Sequence, residues 1–220
     1  MKNVTLKINN TPVTVPEGTR ILDAARQAGF DIPTLCYLKD LTNEGSCRMC
    51  VVEVKGARSL VVSCVGTVSE GMEVFTNSPK VIASRKTTLE LMLSNHNKDC
   101  LSCVRSTNCE LQKLSLEYGC DDNDFAGEHS HVTVEALNPY LIRDNSKCIL
   151  CRRCVAMCSK VQSVGVIGPN RRGFNTEIGC AFERNLGDVD CVACGQCIKV
   201  CPTGALREVD DTDKVVAALK

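Results

Sequence analysis

Tryptophan is absent from this 220-residue chain, and aromatic residues make up only 4% of it. A core must therefore be built from smaller aliphatic side chains, which is thin for the length unless something else cross-links the chain. Net charge is also absent, because 26 basic residues balance 26 acidic ones, and no basic stretch is interleaved with aromatics. These absences argue against a nucleic-acid partner.

Long apolar segments are missing as well. No run approaches the roughly 18 residues that a membrane-spanning helix needs. The first ten residues, MKNVTLKINN, lack the apolar centre of a signal peptide. We therefore expect no membrane span and a cytoplasmic location.

Cysteine, by contrast, is abundant, with 17 residues. In a secreted miniprotein such a number would indicate disulfides. Here the count is odd, the chain is long and a secretory signal is missing, so the cysteines indicate bound metal.

The strongest pattern is an internal repeat. Residues 148–158, CILCRRCVAMC, and residues 191–201, CVACGQCIKVC, align at an offset of 43, and both space four cysteines at intervals of three, three and four. Such a run gives three thiolates to one 4Fe–4S cluster, while its fourth cysteine ligates the other cluster in two-cluster ferredoxins. The repeat therefore predicts two 4Fe–4S clusters with crossed fourth ligands. The first would be held by Cys148, Cys151, Cys154 and Cys201, and the second by Cys158, Cys191, Cys194 and Cys197.

Another cysteine set lies near the N-terminus and consists of Cys36, Cys47, Cys50 and Cys64. It keeps the C-x2-C pair and the distant fourth cysteine of plant-type 2Fe–2S sites, although the first gap holds ten residues instead of four. Gly45 would let this longer loop approach a cluster closely. The pattern predicts a 2Fe–2S cluster, with a zinc knuckle as the alternative.

In the middle of the chain, the stretch HNKDCLSCVRSTNC places His96 ahead of Cys100, Cys103 and Cys109. Three thiolates need one more ligand to complete a 4Fe–4S site, and either His96 or the later Cys120 could provide it. A neutral imidazole would remove one negative charge from the coordination shell and raise the reduction potential, as histidines do in Rieske centres. The spacing itself leaves this choice open.

Local patterns predict several short elements in the first third of the chain. Alternation on either side of Asn9-Asn10 predicts a β-hairpin over residues 4–15. A short helix should follow, with Thr19 as its N-cap and Gly29 as its stop. Further short strands are expected within CVVEVKG, SLVVSCVG and MEVFT, which would complete a small mixed sheet crossed by one helix.

A longer helix is predicted to begin at Ser78-Pro79 and to run towards His96. Its apolar face would consist of Val81, Ile82, Leu89, Met92 and Leu93. A polar stretch from about residue 120 to residue 137 contains His129 and His131, which we expect to be surface residues.

Five stretches together carry a family resemblance: PTLCYL, GSCRMCVVEV, HNKDCLSCVRSTNCELQ, DNSKCILCRRCVAMC and CVACGQCIKVCPTGAL. In this order they resemble the N-terminal electron-relay region of FeFe-type (iron-only) hydrogenases, and also the N-terminal part of the large iron–sulfur subunit of complex I. In that family the histidine ahead of the three cysteines is a cluster ligand. The resemblance therefore implies a 4Fe–4S site at His96, Cys100, Cys103 and Cys109. Cys120 and Cys180 are left without a cluster.

The resemblance also implies an α+β fold in three parts. A β-grasp 2Fe–2S ferredoxin-like domain would occupy residues 1–79. A small helical domain with the histidine-ligated 4Fe–4S cluster would occupy residues 80–119, and a two-cluster 4Fe–4S ferredoxin-like domain residues 139–210. Residues 120–138 would form a linker, and residues 211–220 would begin a C-terminal helix or mark a truncation point. One 2Fe–2S and three 4Fe–4S clusters are expected.

Such a chain would relay single electrons between the flavin or cluster of a partner subunit and a catalytic centre elsewhere, as part of a hetero-oligomer. The setting implied is an FeFe-hydrogenase or an electron-bifurcating hydrogenase complex. In that family a catalytic domain with further cysteine motifs follows the relay region, and those motifs are missing here, so no substrate-converting centre is expected in the 220 residues. One alternative is a separate electron-transfer subunit of an NADH-linked or formate dehydrogenase complex. An alternative of another class is a zinc-stabilised interaction module.

Overall fold

The structure is a computed structural model that describes residues 2–120, 125, 127–130 and 134–220. It divides into two compact units. Unit 1 comprises Met1–Ser94 and Glu110–Phe125, and unit 2 comprises Asn95–Cys109 and Ala126–Lys220. This division cuts across the predicted helical domain, because the segment with His96 and its three cysteines belongs to unit 2 while the helices on either side belong to unit 1.

Unit 1 contains a five-stranded sheet with the strands β1 (Asn3–Ile8), β2 (Thr11–Pro16), β3 (Val51–Val54), β4 (Val61–Val62) and β5 (Glu73–Phe75), together with helix α1 (Ile21–Gln27). The order of the strands in the sheet is β2-β1-β5-β3-β4. Strand β1 pairs antiparallel with β2 and parallel with β5. Alternate residues of β1 are buried, so one face of the sheet packs on α1 and forms an aliphatic core.

The predicted hairpin and the first helix are both present. Asn9 and Asn10 have φ angles of 47° and 68°, which the primed hairpin turns require. Gly29, with φ +81°, follows the end of α1 as predicted. The prediction that Thr19 caps α1 is wrong: Arg20 holds the N-cap position without a side-chain cap, because the Thr19 hydroxyl donates to the Pro16 carbonyl at 2.7 Å.

Two further helices belong to unit 1, α2 (Pro79–Ser94) and α3 (Glu110–Glu117). Helix α2 begins at Pro79 as predicted, and Val81 and Leu89 of its predicted apolar face are buried, but the rest of the buried face differs. Val81, Arg85 and Leu89 follow one another at the four-residue spacing of a helix face and are fully buried, whereas Ile82 is 46% exposed. An arginine thus occupies a core position that an apolar pattern could not predict.

Unit 2 is built from short elements and long loops. Its helices are α4 (Arg153–Ala156), α5 (Gln196–Lys199) and α6 (Thr212–Ala218), and its strands are β6 (Val134–Asn138), β7 (Leu141–Asp144), β8 (Gly168–Asn170), β9 (Glu177–Gly179) and β10 (Leu206–Glu208). The strands form a three-stranded sheet, β10-β7-β6, and a β8-β9 ribbon. Strand β6 lies inside the predicted linker 120–138, because its residues pair with β7 across a tight hairpin. Residues 121–124, 126 and 131–133 of that linker, His131 among them, lie outside the described residues.

The two cores differ in composition. Unit 1 has a mainly aliphatic core whose buried residues include Cys50 and Cys64. The core of unit 2 is smaller and includes buried Cys154, Cys180 and Cys201. In the part of the chain that the structure describes, no helix is both long enough and apolar enough to cross a membrane.

Candidate metal centres

The four N-terminal cysteines lie together in unit 1 and are all buried. Cys50 immediately precedes β3 and Cys64 follows β4, while Cys36 and Cys47 come from the loop before β3. Buried hydroxyls hold the backbone of this loop. Thr42 donates to the Cys36 carbonyl, and Ser63 donates to the Cys50 carbonyl at 2.6 Å.

The same four thiols act on one another in two pairs. Interaction with Cys47 lowers the pKa of Cys36 to about 5, and interaction with Cys64 lowers the pKa of Cys50 to about 7. The pKa of each partner thiol is raised by the same interaction. Since a 2Fe–2S cluster has two irons and four thiolate ligands, two thiol pairs fit its ligand arrangement.

In unit 2, one cavity of about 930 Å³, counting its open mouth, is lined by all eight cysteines of the repeat. The rest of its lining is mainly aliphatic and includes Leu141, Val164, Ile178 and Leu206. The structure therefore brings together every cysteine that the repeat singles out, and it surrounds them with apolar side chains.

The repeat is also visible in the backbone. Leu150 and Ala193, which correspond at the offset of 43, both have positive φ angles, 53° and 50°. Arg152 and Gly195 also correspond, with φ angles of 60° and 68°. Left-handed residues turn successive amides towards the sulfurs, and the Leu150 amide donates to the Cys148 sulfur at 3.4 Å.

The pKa shifts show which thiols lie near one another in the cavity. Burial, together with the nearby Cys201, raises the pKa of Cys148 to about 11 and that of Cys151 to about 12. The pKa of Cys154 is raised by burial first and then by Cys151, Cys148, Cys201 and Cys197. By contrast, the thiols that raise the pKa of Cys197 are Cys194 and Cys191. Cys201 thus lies within electrostatic reach of the first three cysteines of the other motif.

The His96 segment belongs to the same unit as this cavity. His96 is half-buried, and among the described residues its Nδ1 is a buried atom without a hydrogen-bond partner. Burial, followed by the nearby Lys147 charge, lowers the pKa of His96 to about 4. The imidazole is therefore neutral at pH 7, which is the form that coordinates metal. Cys100, Cys103 and Cys109 are all half-buried.

Close contacts join this segment to the loop that carries Cys201. The Cys109 sulfur lies 3.6 Å from the Pro202 carbonyl oxygen, and Arg105 donates to the Cys201 carbonyl. Gly204 makes room for Cys103, since a Cβ at position 204 would lie 2.5 Å from the Cys103 sulfur. Two predicted ligand sets are therefore neighbours within unit 2.

In the predicted ligand sets, the side chains lie in pairs or in loosely spaced groups. Within the described chain, no three His, Cys, Asp or Glu side chains surround one point as a single metal ion requires. A cluster spreads its ligands, because each of its irons takes only one or two of them. Soft thiolates in a buried, amide-lined setting suit iron–sulfur clusters, so the residues present fit the groups that the sequence predicts.

Sequence reasoning missed the buried arginines of both units. Arg143 of β7 and Arg153 of α4 are 8% and 4% exposed, and the charge of each lowers the pKa of a nearby cysteine, Cys148 and Cys151 respectively. In unit 1, Arg85 is completely buried. Two sequence signals could have pointed to buried arginines. One is the arginine pair within CRRC, and the other is the basic residue in the alternating LIRD strand.

The residues left without a cluster occupy different places. Cys180 is 3% exposed in the core of unit 2, and its pKa is raised by burial and by the nearby Cys191 and Cys158. Cys120 is half-buried and belongs to unit 1. His129 is exposed, as predicted.

Three family models match successive parts of the chain. A 2Fe–2S iron–sulfur cluster binding domain matches residues 1–79, the NADH-ubiquinone oxidoreductase-G iron–sulfur binding region matches residues 85–124, and a 4Fe–4S dicluster domain matches residues 147–205. The fold and these matches define a multi-domain iron–sulfur protein.

Relatives place this class more narrowly. The chain is 48% identical over its whole length to the NADP-reducing hydrogenase subunit HndD of Solidesulfovibrio fructosivorans, covering 38% of that protein. It is 36% identical over 92% of its length to the mitochondrial NADH-ubiquinone oxidoreductase 78 kDa subunit of Neurospora crassa, covering 27% of that protein. A crystal structure of an NAD+-reducing [NiFe]-hydrogenase in the H2-reduced state aligns with 30% identity and a TM-score of 0.85, over 93% of this chain and 87% of that one.

These similarities settle the family. This polypeptide belongs to the family of iron–sulfur electron-transfer subunits that is found both in hydrogenases and in NADH-ubiquinone oxidoreductase, which is complex I. It spans well under half the length of the two curated relatives.

Proposed function

We propose that this chain holds one 2Fe–2S and three 4Fe–4S clusters and passes single electrons within a larger oxidoreductase complex. The 2Fe–2S ligands are Cys36, Cys47, Cys50 and Cys64. The 4Fe–4S ligands are His96, Cys100, Cys103 and Cys109 in one set, Cys148, Cys151, Cys154 and Cys201 in another, and Cys158, Cys191, Cys194 and Cys197 in the third. The observation that carries the proposal is the single apolar cavity lined by all eight repeat cysteines.

Two observations favour His96 over Cys120 as the ligand of the histidine set. The His96 imidazole is neutral at pH 7, and its buried Nδ1 has no hydrogen-bond partner among the described residues. His96 also shares a compact unit with Cys100, Cys103 and Cys109, whereas Cys120 belongs to unit 1.

When bound, the clusters supply one-electron redox chemistry, and the protein around them sets their reduction potentials. Apolar side chains line most of the eight-cysteine cavity, although Cys194 is exposed, and the Leu150 amide offers a hydrogen bond to the Cys148 sulfur. Arg105 and Cys109 hold the histidine segment against the backbone of Cys201 and Pro202. Neighbouring ligand sets in one unit suit a relay, because electron transfer needs short separations.

Partners are proposed to be flavin- or iron–sulfur-containing subunits in a hetero-oligomer of the hydrogenase type. The full-length similarity to a hydrogenase subunit supports this, and it is consistent with an FeFe-type or bifurcating complex. The three-domain boundaries at residues 1–79, 80–119 and 139–210 are part of the proposal and are supported by the successive family matches. A cytoplasmic location stays a prediction.

A second candidate is a separate electron-transfer subunit of an NADH-linked complex. The identity to an NADH-ubiquinone oxidoreductase subunit favours the link to NADH, and the 87% coverage of one chain of the NAD+-reducing hydrogenase favours a separate subunit. The two candidates can be separated by isolating the complex through a tag on this chain and following the visible absorption under H2 or NADH. Bleaching by NADH in a complex that does not respond to H2 would select the second candidate.

Ligation by Cys201 is tested by comparing Cys201→Ser with Cys180→Ser, since both thiols are buried in the core of unit 2. We expect Cys201→Ser to alter the signal of one 4Fe–4S cluster and to lower iron by up to about four per chain. Cys180→Ser should keep the full iron content. Equal iron content and unchanged cluster signals in both variants would contradict the assignment.

A further inference from the structure

Arg85 of α2 is the largest side chain that is fully buried among the described residues, with 0% exposure. It does not belong to any predicted ligand set, and the proposed function does not use it. A buried guanidinium keeps its positive charge in proteins, so its setting calls for a physical reason.

The hydrogen-bond partners of Arg85 are all neutral. Its Nη2 donates to the Val51 carbonyl at 2.8 Å, and its Nη1 donates to the Tyr118 hydroxyl at 2.9 Å and to Asn77 Oδ1 at 3.2 Å. Its Nε is buried, and among the described residues it has no acceptor.

Carboxylates do not compensate this charge within the described residues, since none of them pairs with Arg85. Glu90, the nearly buried acid on the same helix, lies 3.8 Å from the Lys86 ammonium instead. Burying a charge without an opposite one is costly even when its hydrogen bonds are satisfied.

The position of Arg85 indicates where the opposite charge lies. The carbonyl that accepts from Nη2 belongs to Val51, which directly follows Cys50 at the start of β3. The guanidinium therefore contacts the backbone one residue away from Cys50. Four thiolates around a two-iron core leave that site with net negative charge, and reduction adds one more electron.

We infer that Arg85 is the internal counter-charge of the 2Fe–2S site and raises its reduction potential. This inference rests on the proposed ligand set of Cys36, Cys47, Cys50 and Cys64. A buried cation favours the reduced state over the oxidised state, because screening by water is weak there. Through Val51 and Tyr118, the same side chain joins β3 to α2 and to the end of α3.

The test is an EPR redox titration of the loaded full chain, comparing Arg85→Gln, Arg85→Lys and Tyr118→Phe with the original protein. Arg85→Gln should lower the midpoint potential of the 2Fe–2S signal, while Arg85→Lys should keep it closer to the original value because the charge remains. Tyr118→Phe removes a neutral partner and should leave the midpoint in place. The three 4Fe–4S signals serve as internal controls.

Asn77→Asp keeps the test decisive even where Arg85→Gln fails to load a cluster. It is nearly isosteric and places a carboxylate on the Arg85 guanidinium, so it should also lower the 2Fe–2S midpoint. An unchanged midpoint in the variants that load the cluster, or equal shifts in Arg85→Gln and Arg85→Lys, would overturn the inference and leave Arg85 a structural residue. Absence of any 2Fe–2S signal in the original protein would instead overturn the proposed function.

Discussion

At the scale of single residues, the charge beside each candidate site is set by a few side chains. His96 offers a neutral imidazole where the other predicted ligands are thiols. Arg143 and Arg153 are buried cations that act on Cys148 and Cys151, and Arg85 is a buried cation that donates to the carbonyl of the residue after Cys50. Because a charge in a buried setting is poorly screened, each of these side chains should shift a reduction potential.

Replacing His96 by cysteine tests the histidine site. A fourth thiolate adds negative charge to the coordination shell, so the midpoint of one 4Fe–4S signal should fall by on the order of 100 mV. The measurement is an EPR-monitored redox titration. His129→Cys is the matched control, because His129 is exposed, and it should leave all midpoints unchanged. Unaltered cluster potentials in His96→Cys would speak against coordination by His96.

The candidate cysteine sets could be recognised from the sequence, whereas the buried arginines could not. Cysteine spacing within one loop is a local property, so the repeat could be recognised without knowing the fold. The burial of Arg85 depends on Val51 and Tyr118, which are distant in the chain and meet it only in the folded unit. The apolar pattern of the helix therefore predicted that Ile82 would be buried, whereas it is 46% exposed.

At the scale of elements, local turn chemistry accounts for the parts that were predicted well. The β1–β2 hairpin follows from Asn9-Asn10 between alternating strands, and the left-handed residues of the two cysteine loops follow the sequence repeat. The N-cap at Thr19 was wrong, because a hydroxyl can serve the preceding turn as well as a helix.

The hairpin turn gives a stability prediction. Asn10 has φ 68°, and a β-branched side chain is disfavoured there, so Asn10→Val should destabilise unit 1 by about 1–2 kcal/mol. Hydrogen exchange of the β1 and β2 amides under increasing denaturant measures this. Asn10→Gly is the control and should be tolerated, since glycine adopts positive φ freely. Equal protection in Asn10→Val and the original chain would refute the turn assignment.

The loop after Cys201 gives a second prediction at this scale. Gly204→Ala would place a methyl group 2.5 Å from the Cys103 sulfur, so either the histidine segment or the loop must move. We expect a perturbed EPR signal from the histidine-ligated site and loss of up to about four irons per chain. Gly168→Ala is the matched control, because a Cβ at Gly168 meets no heavy atom within 4 Å. Full iron content and unchanged spectra in Gly204→Ala would show that Cys103 does not need this space.

At the scale of the whole molecule, the two units should depend on iron to different degrees. Both cores include predicted ligands, but the core of unit 1 is larger and mainly aliphatic, whereas the smaller core of unit 2 has a greater share of cysteines. Removing the clusters leaves the cysteines of unit 2 without the metal that would cross-link their loops. Hydrogen exchange after anaerobic chelation should therefore show loss of protection in α4, α5 and β7 before β1 and α1. Simultaneous loss in both units would contradict this difference.

The order of the domains could be predicted from the sequence, but the division into two compact units could not. Motif order is written along the chain, so the three family matches follow the predicted succession. The assignment of Asn95–Cys109 to unit 2 depends on contacts with residues about a hundred positions later, such as Cys109 with Pro202. Local patterns carry no information on such long-range contacts.

The most direct test of the account is the iron and acid-labile sulfide content of the anaerobically purified chain, measured with EPR of the dithionite-reduced sample. The account predicts about fourteen irons per chain, with signals from one 2Fe–2S and three 4Fe–4S clusters. A content of about ten irons per chain would mean that one 4Fe–4S cluster is missing, and the histidine-ligated set would be the first to examine. Zinc in place of iron, with no reducible signal, would contradict the electron-transfer account and leave a zinc-stabilised interaction module.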